Sequence, residues 1–343
     1  MRLWAELSGD NDRLALAELS SVLKTLHQNF RPPRPVEWGR RLCEFDAPDP
    51  LTIASRLAFT RRVLRPIATG GPAELSSAIR DEGSRGSSGA MRTGHQNGLP
   101  EELPSLLGKA YVDGGGIVNL DCPERTFVTF SKAGSSGSSS DGRSMALAEE
   151  LAATCRSELK KRSPTSLPFR KPVTLSPLLA RALVNLSQVP PGGLLLDPFC
   201  GTGAILVEGG QLGCRLVAGD IDGRMVKGTL ANLAKFGITP EVATQVDVSE
   251  LSGALEPYLP MDGVATDPPY GRSSSTFGEH AEKVVEKALE ALPSILRKGS
   301  KLSLMVPSPH IMDRIKEPWT VEGCPIPFRA HRSLTRWIFV LST

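Results

Sequence analysis

From Ser176 onward the sequence alternates short apolar runs with helical stripes, and this alternation constrains the fold more than any other feature of the chain. The apolar runs are Leu194 to Leu196, Leu216 to Ala218, Val242 to Val248, Gly263 to Ala265 and Leu302 to Val306. Between them apolar residues recur every three or four positions, as at Val226, Leu230 and Leu233, and again at Val284, Val285, Ala288, Leu292 and Ile295. That spacing places them on one face of a helix. The first helix carries its own start signal, with Ser176 as cap, Pro177 at the first helical position and a stripe of Leu179, Leu183 and Leu186. Strands that alternate with helices pack as a sheet covered on both faces, so residues 173–343 are expected to form a doubly wound α/β domain. Its ligand should lie beyond the carboxyl ends of the strands.

Three strand ends carry candidate cofactor residues. Leu194 to Leu196 runs into Asp197-Pro198-Phe199-Cys200-Gly201-Thr202-Gly203 and then a helix from Ala204 to Leu212. Gly201 and Gly203 let backbone approach a ligand without a Cβ in the way. The spacing departs from the dinucleotide fingerprint, because the third glycine is missing and an acid precedes the turn. Asp197 would repel a pyrophosphate but suits a ligand with a cationic amine, such as S-adenosylmethionine, and Phe199 lies in the same turn. The next run ends in Gly219-Asp220-Ile221-Asp222, with Asp220 lying 23 residues beyond Asp197. An acid at that place grips a ribose diol, and Ile221 could pack on adenine. Capping of the helix from Gly223 is the competing role, and it fits Asp222 better than Asp220. Asp247, closing the third run, is a candidate for the adenine amino group, although aspartates at strand ends are also common in turns.

The fourth run leads into Thr266-Asp267-Pro268-Pro269-Tyr270-Gly271. An exocyclic base amine is a poor nucleophile because its lone pair is delocalised into the ring. Asp267 can accept one N–H hydrogen bond and the backbone at Pro268 another, which favours a pyramidal nitrogen. Two prolines hold those acceptors in an extended turn, and Tyr270 can stack on an extruded base. A proline turn after a strand is an ordinary structural feature; its place behind the other two motifs is what points to chemistry. Cys200 lacks the neighbouring cation or base that a catalytic thiolate needs.

The first half reads differently. Asp12 to His27 carries a leucine stripe at 16, 19, 23 and 26, and strand signals fall at Tyr111-Val112, Ile117 to Leu120 and Phe127 to Phe130. Two Gly/Ser-rich stretches, 82–98 and 134–142, are expected to be mobile loops. This half is expected to be α+β without chemistry of its own. Between Arg156 and Lys171, Lys160, Lys161, Arg162 and Arg170 stand with a single acid, Glu158. The segment is either a solvated linker or a strip that contacts phosphates. Arg332 and Arg336 precede a final strand, Trp337 to Leu341, and could likewise face RNA or only water.

Composition sets the outer limits. With 40% hydrophobic and 22% charged residues the chain is expected to be globular. A net charge of +3 does not by itself predict a nucleic-acid partner. The cysteines show no metal-ligand spacing, which suits a reducing compartment. No run reaches the roughly 20 apolar residues of a membrane span, and the N-terminus lacks a signal-peptide core. The expectation is a cytoplasmic protein of two or three domains.

The motifs together resemble a known family, the archaeal tRNA guanosine N2-methyltransferases that carry a THUMP domain, related to the eukaryotic enzymes that methylate guanosine-10. The resemblance runs from about Leu167 to Leu341 through LPFRKPVTLSPLLARALVNL, LLLDPFCGTGAILVE, GDIDGRMVKGTLANL, ATDPPYGRSSS and HRSLTR. DPPY alone is shared by many amino methyltransferases; the longer Thr266 to Ser275 string is far more specific. The resemblance implies a Rossmann-like class I S-adenosylmethionine-dependent methyltransferase domain at 173–343. It further implies a ferredoxin-like segment at 1–50, a THUMP RNA-binding domain at 51–145 and a basic linker at 146–172. By this resemblance Asp267 and Tyr270 would serve the target base, and Asp197, Gly201, Gly203 and Asp220 the cofactor; the reading of the strand ends adds Pro268 to the first set and Phe199, Ile221 and Asp247 to the second. The cations Lys160, Lys161, Arg162, Arg170, Arg272, Arg332 and Arg336 are the candidates to face tRNA, and whether a small activating subunit is also a partner stays open. GKAYVDGGGIVNLDCPERTFVTF matches the end of the THUMP pattern, from which the Gly/Ser insertions depart. Two alternatives stay open: an amino methyltransferase acting on rRNA or DNA, and a non-catalytic RNA-binding or assembly protein.

Overall fold

The computed structural model describes residues 1–26, 31–39, 41–93, 99–132, 144–154, 156–269, 281–331 and 334–343. They form two compact units. One comprises Met1–Ala15, Phe30–Ser55 and Thr60–Thr154; the other comprises Leu16–Asn29, Arg56–Phe59 and Cys155–Thr343. Among the described residues no helix is long and apolar enough to cross a membrane.

Up to residue 154 the elements in chain order are β1 (Arg2–Leu7), α1 (Asp12–Leu26), β2 (Arg34–Pro35), β3 (Leu42–Asp46), α2 (Pro50–Arg56), β4 (Thr60–Gly70), α3 (Pro72–Gly83), β5 (Ser88–Thr93), α4 (Leu103–Asp113), β6 (Ile117–Val118), β7 (Arg125–Ser131) and β8 (Met145–Ala153). The strands make one sheet in the order β2-β3-β1-β4-β8-β7-β5-β6. Among the described strands of this sheet the parallel pairs are β5 with β6 and β5 with β7.

Three expectations are corrected here. Tyr111 and Val112 lie in α4, where Leu103, Leu107, Ala110 and Tyr111 are all buried. Their helical spacing puts four residues against Leu75, Ile79 and Phe127 at once, and that burial overrides the strand preference of a Tyr-Val pair. Part of the Gly/Ser stretch 82–98 is the strand β5, in register with β7 from Gly89 opposite Arg125 to Thr93 opposite Thr129. A Cβ on Gly89 would sit 2.9 Å from the Tyr111 ring and 3.1 Å from that of Phe127, so this glycine admits two aromatic rings rather than loosening a loop. Residues 146–153, expected in the linker, belong to β8, which pairs with β4 on one side and β7 on the other. The cations that suggested a linker begin only at Arg156, after the strand has ended.

The second unit continues with α5 (Arg156–Lys161), α6 (Pro177–Leu186), β9 (Leu194–Asp197), α7 (Ala204–Gln211), β10 (Arg215–Asp220), α8 (Gly223–Lys235), β11 (Val242–Gln245), α9 (Leu251–Ala254), β12 (Met261–Thr266), α10 (Ala281–Ala291), β13 (Leu296–Val306), β14 (Thr320–Val321), β15 (Ile326–His331) and β16 (Leu334–Ser342). Ser176 caps α6 by accepting the Leu179 N–H at 3.4 Å. The sheet order is β11-β10-β9-β12-β13-β16-β14, with β15 also paired to β16. From β11 to β13 the pairs are parallel. Strand β16 runs antiparallel to β13. Leu196, Val217, Val264, Leu302 and Leu304 are almost wholly buried in one core, as a sheet covered on both faces requires. Chain order proceeds outward from β9 in both directions, to β10 and β11 on one side and β12 and β13 on the other. The β9/β12 boundary is therefore the switch point where a crevice opens at the strand ends.

Candidate active site

Asp197 ends β9 at that boundary and is 2% exposed. Its Oδ1 accepts the Thr266 hydroxyl at 2.7 Å and the Phe199 N–H at 3.2 Å. Burial pushes its pKa up to about 7 against the opposing pull of those two hydrogen bonds, and the charge of Asp220 adds to the rise. The following turn is held by Cys200 N–H to Gly219 O at 2.9 Å and Gly203 N–H to Cys200 O at 2.7 Å. Gly201 and Gly203 take φ of +53° and +77°. A Cβ at 203 would also meet the Thr229 side chain at 2.9 Å, so glycine is required there by both backbone and packing.

Asp220, at the end of β10, folds back on the same turn. Its two carboxylate oxygens accept N–H groups of Gly201 and Asp222, each at 2.9 Å. Burial raises its pKa, while the two backbone donors lower it. Asp222 takes the capping role, accepting the Arg224 N–H at the start of α8. Beside them Ile221 is 40% exposed, an apolar face turned into the cavity. Asp247 follows β11, caps the short turn at Val248–Glu250 and accepts the Ser249 hydroxyl at 2.6 Å.

Asp197, Phe199, Gly201, Asp220, Ile221, Asp247, Asp267 and Pro268 line one cavity of about 310 Å³. Gly203 sits behind the turn, where it starts α7. A second hollow of about 220 Å³ shares Pro268 and Pro269 and is walled by Met305, Val306 and Ile311. Cys200 touches the first cavity, but burial and the two acids hold its thiol far above its usual pKa, so it is protonated and no nucleophile.

Sequence reasoning missed one wall. Lys171, Val173, Thr174 and Leu175 close the cavity from the segment before α6. Asn232 of α8, fully buried, holds that segment. Its Oδ1 accepts the Phe169 N–H at 2.9 Å and its Nδ2 donates to Phe169 O at 2.7 Å and Thr202 O at 2.8 Å. One amide thus ties the segment to the glycine turn, a contact across 63 residues that no local pattern announces. Replacing Asn232 with Leu leaves these backbone groups buried without partners. A loss of about 3 kcal/mol is expected in urea unfolding, with faster tryptic cleavage after Arg170.

The cations divide. Lys160, Lys161 and Arg170 are exposed, and Lys161 reaches Glu158 at 2.6 Å. Arg162 does not face solvent: its side chain is 10% exposed and binds Glu208, at 2.6 Å from Nε to Oε1. Arg336 is likewise withdrawn from any RNA-facing surface. It is 3% exposed in β16 and its Nη2 donates to Asp267 Oδ1. In both cases a carboxylate, buried at Glu208 and partly buried at Asp267, competes with solvent for the guanidinium, and a count of charges cannot reveal the partner. Tyr270, Arg272 and Arg332 lie outside the described residues.

A model of the RMKL-like methyltransferase domain (UPF0020) matches residues 164–322. The tRNA (guanine(10)-N2)-dimethyltransferase of Methanothermobacter thermautotrophicus is 41% identical over 198 residues, 57% of this chain and 57% of that protein. This chain therefore spans little more than half of that relative's length. A probable tRNA (guanine(10)-N2)-dimethyltransferase of Methanothermococcus thermolithotrophicus is 36% identical over 170 residues, 47% of this chain and 96% of that protein. In fold, the chain is similar to TrmN from Thermus thermophilus, with a TM-score of 0.53 and 18% identity over the whole of both chains.

Proposed function

Because this chain belongs to the tRNA (guanine(10)-N2)-dimethyltransferase family, we propose that it transfers one or two methyl groups from S-adenosylmethionine to the exocyclic N2 amine of a tRNA guanosine, most specifically guanosine-10. The observation that carries this reading is the placement of Asp267. The carboxylate that would receive an amine shares one cavity with the buried acid Asp197 and the strand-end acid Asp220.

The residues present fit the cofactor. The cavity lies in the size range of small-ligand sites, and a buried carboxylate, a second acid and an exposed isoleucine face into it at successive strand ends. Asp197 would hold the cationic amine, Asp220 the ribose hydroxyls, and Ile221 and Asp247 the adenine. When bound, S-adenosylmethionine supplies an electrophilic methyl group. Asp267 and the backbone at Pro268 hold the N–H groups of the target amine, which favours a pyramidal nitrogen with its lone pair available. Asp267 then takes the proton that the amine loses. A guanine within a paired stem cannot reach this carboxylate unless it is flipped out of the stack, and the hollow beyond Pro268 and Pro269 offers apolar walls for it, with Tyr270 as stacking partner.

The sheet of the first unit is assigned the ferredoxin-like and THUMP roles, and with Lys160, Lys161 and Arg170 it would grip the tRNA backbone. A cytoplasmic location is part of the same proposal. The deciding experiment is transfer of labelled methyl groups to an unmodified tRNA transcript, followed by nucleoside analysis. N2-methylguanosine or its dimethyl form is expected. Transfer to rRNA fragments or duplex DNA instead would replace this substrate, and turnover that appears only with cell extract would bring in a small activating subunit.

A pH dependence follows from Asp197. With its pKa near 7 in the free protein, the carboxyl is protonated below that point and must lose its proton to face a cationic amine. Cofactor affinity is expected to rise as pH goes from 5 to 7, by up to about tenfold per unit, and to level off above. Calorimetry should show the slope, and Asp197→Asn should lose most of it. A flat profile in the unaltered protein would remove Asp197 from the amine site.

A further inference from the structure

We propose that Arg336 is a positioning residue that suits Asp267 to guanine: it holds one carboxylate oxygen, so that Asp267 meets the incoming base ionised and offers it only hydrogen-bond acceptors. The inference rests on the methyltransferase reading above and goes beyond it, because it names a residue for base choice.

The argument begins with the cost of the side chain. Arg336 is nearly enclosed, its side chain 4% exposed, and the carboxylate it meets is 14% exposed. An apolar side chain would fill such a place in a sheet at less cost than a guanidinium taken out of water. Burial pushes its pKa down to about 9, which still leaves it charged at neutral pH. The residue sits next to Trp337, which pairs with Val306 at the carboxyl end of β13. That position lets it reach past β13 to Asp267, just beyond the end of β12. The contact brings together residues 69 apart in the chain.

The chemistry follows from what an ionised carboxylate can accept. Guanine presents two adjacent donors, N1–H and the N2 amine. Adenine presents a donor amine beside an acceptor nitrogen, and a carboxylate repels that acceptor. A protonated Asp267, or one turned away from the base, would lose this preference. Until the methyl group has moved, Arg336 disfavours both states: its positive charge favours the ionised carboxylate, and the hydrogen bond from Nη2 pins one carboxylate oxygen.

The test uses the full chain with a tRNA transcript carrying either guanosine or 2-aminopurine riboside at the target position. The analogue keeps the N2 amine and replaces N1–H with an acceptor. The unaltered protein should prefer guanosine. Arg336→Met should lower kcat on the order of 100-fold with tRNA KM and cofactor affinity within about threefold, and should shrink the guanosine preference about tenfold. Arg336→Lys, which keeps the charge without the fork, should recover part of kcat and covers the case in which the Met variant does not fold. In an Asp267→Asn background, Arg336→Met should add little further loss. Unchanged base preference in either Arg336 variant, or losses that multiply in the double variant, would overturn the proposal. If the unaltered protein methylates no tRNA, the functional reading itself has failed, and that is seen before any variant is made.

Discussion

Asp267→Asn is expected to reduce methyl transfer by about 10³-fold while leaving cofactor and tRNA affinity within a fewfold of the starting values. The size follows from the loss of a charged acceptor for the departing proton, an effect that ranges over about 10²–10⁴-fold. Asparagine is the better probe than alanine because Arg336 donates to this side chain in a buried setting. Alanine would take a charged acceptor away from a buried guanidinium and add a stability cost to the kinetic one. Asparagine keeps an acceptor oxygen for Arg336 and removes only the charge. Single-turnover transfer of labelled methyl, with calorimetry for the cofactor and filter binding for tRNA, separates the two effects. Turnover and cofactor affinity falling in proportion would make Asp267 a wall of the cavity rather than its working group.

The second large effect is on stability. Glu208 in α7 is 1% exposed and serves two arginines: Arg162 through Oε1 at 2.6 Å, and Arg181 through Oε2 at 2.8 Å. Both arginines are themselves about nine-tenths buried, at 10% and 8% exposed. Glu208→Ala takes from two enclosed cations the carboxylate they share. A loss of about 3–5 kcal/mol is expected, which in a unit of this size lowers the unfolding midpoint by about 10 °C. The control is the triple change Arg162→Met, Arg181→Met, Glu208→Leu, which removes both ion pairs together and should restore most of the midpoint. Thermal unfolding followed by circular dichroism measures both. A midpoint within 2–3 °C in Glu208→Ala would mean that water already reaches this cluster.

The same cluster shows where sequence reading stops. Arg162 stands among Lys160, Lys161 and Arg170 and looks like one more surface cation. Glu208, 46 residues later, turns it inward. Arg336 looks like the last cation of a basic run, yet it closes on a carboxylate 69 residues earlier. The segment around Lys171 looks like linker, yet Asn232 fastens it as a cavity wall. In the first unit, Tyr111 follows its helical face rather than its own propensity, and Gly89 serves two aromatic rings rather than a loop.

What the sequence determined by itself was the second unit's sheet and the residues at its strand ends. Strand, turn and helix there alternate with a period set by local geometry, and parallel strands that alternate with helices all bring their carboxyl ends to one side. Asp197, Gly201, Asp220, Ile221, Asp247 and Asp267 therefore had to gather once the strands were recognised. The tertiary structure alone decided which charges meet. A guanidinium finds its carboxylate through space, at separations of tens of residues, and its choice between water and a buried partner depends on packing that no local pattern records.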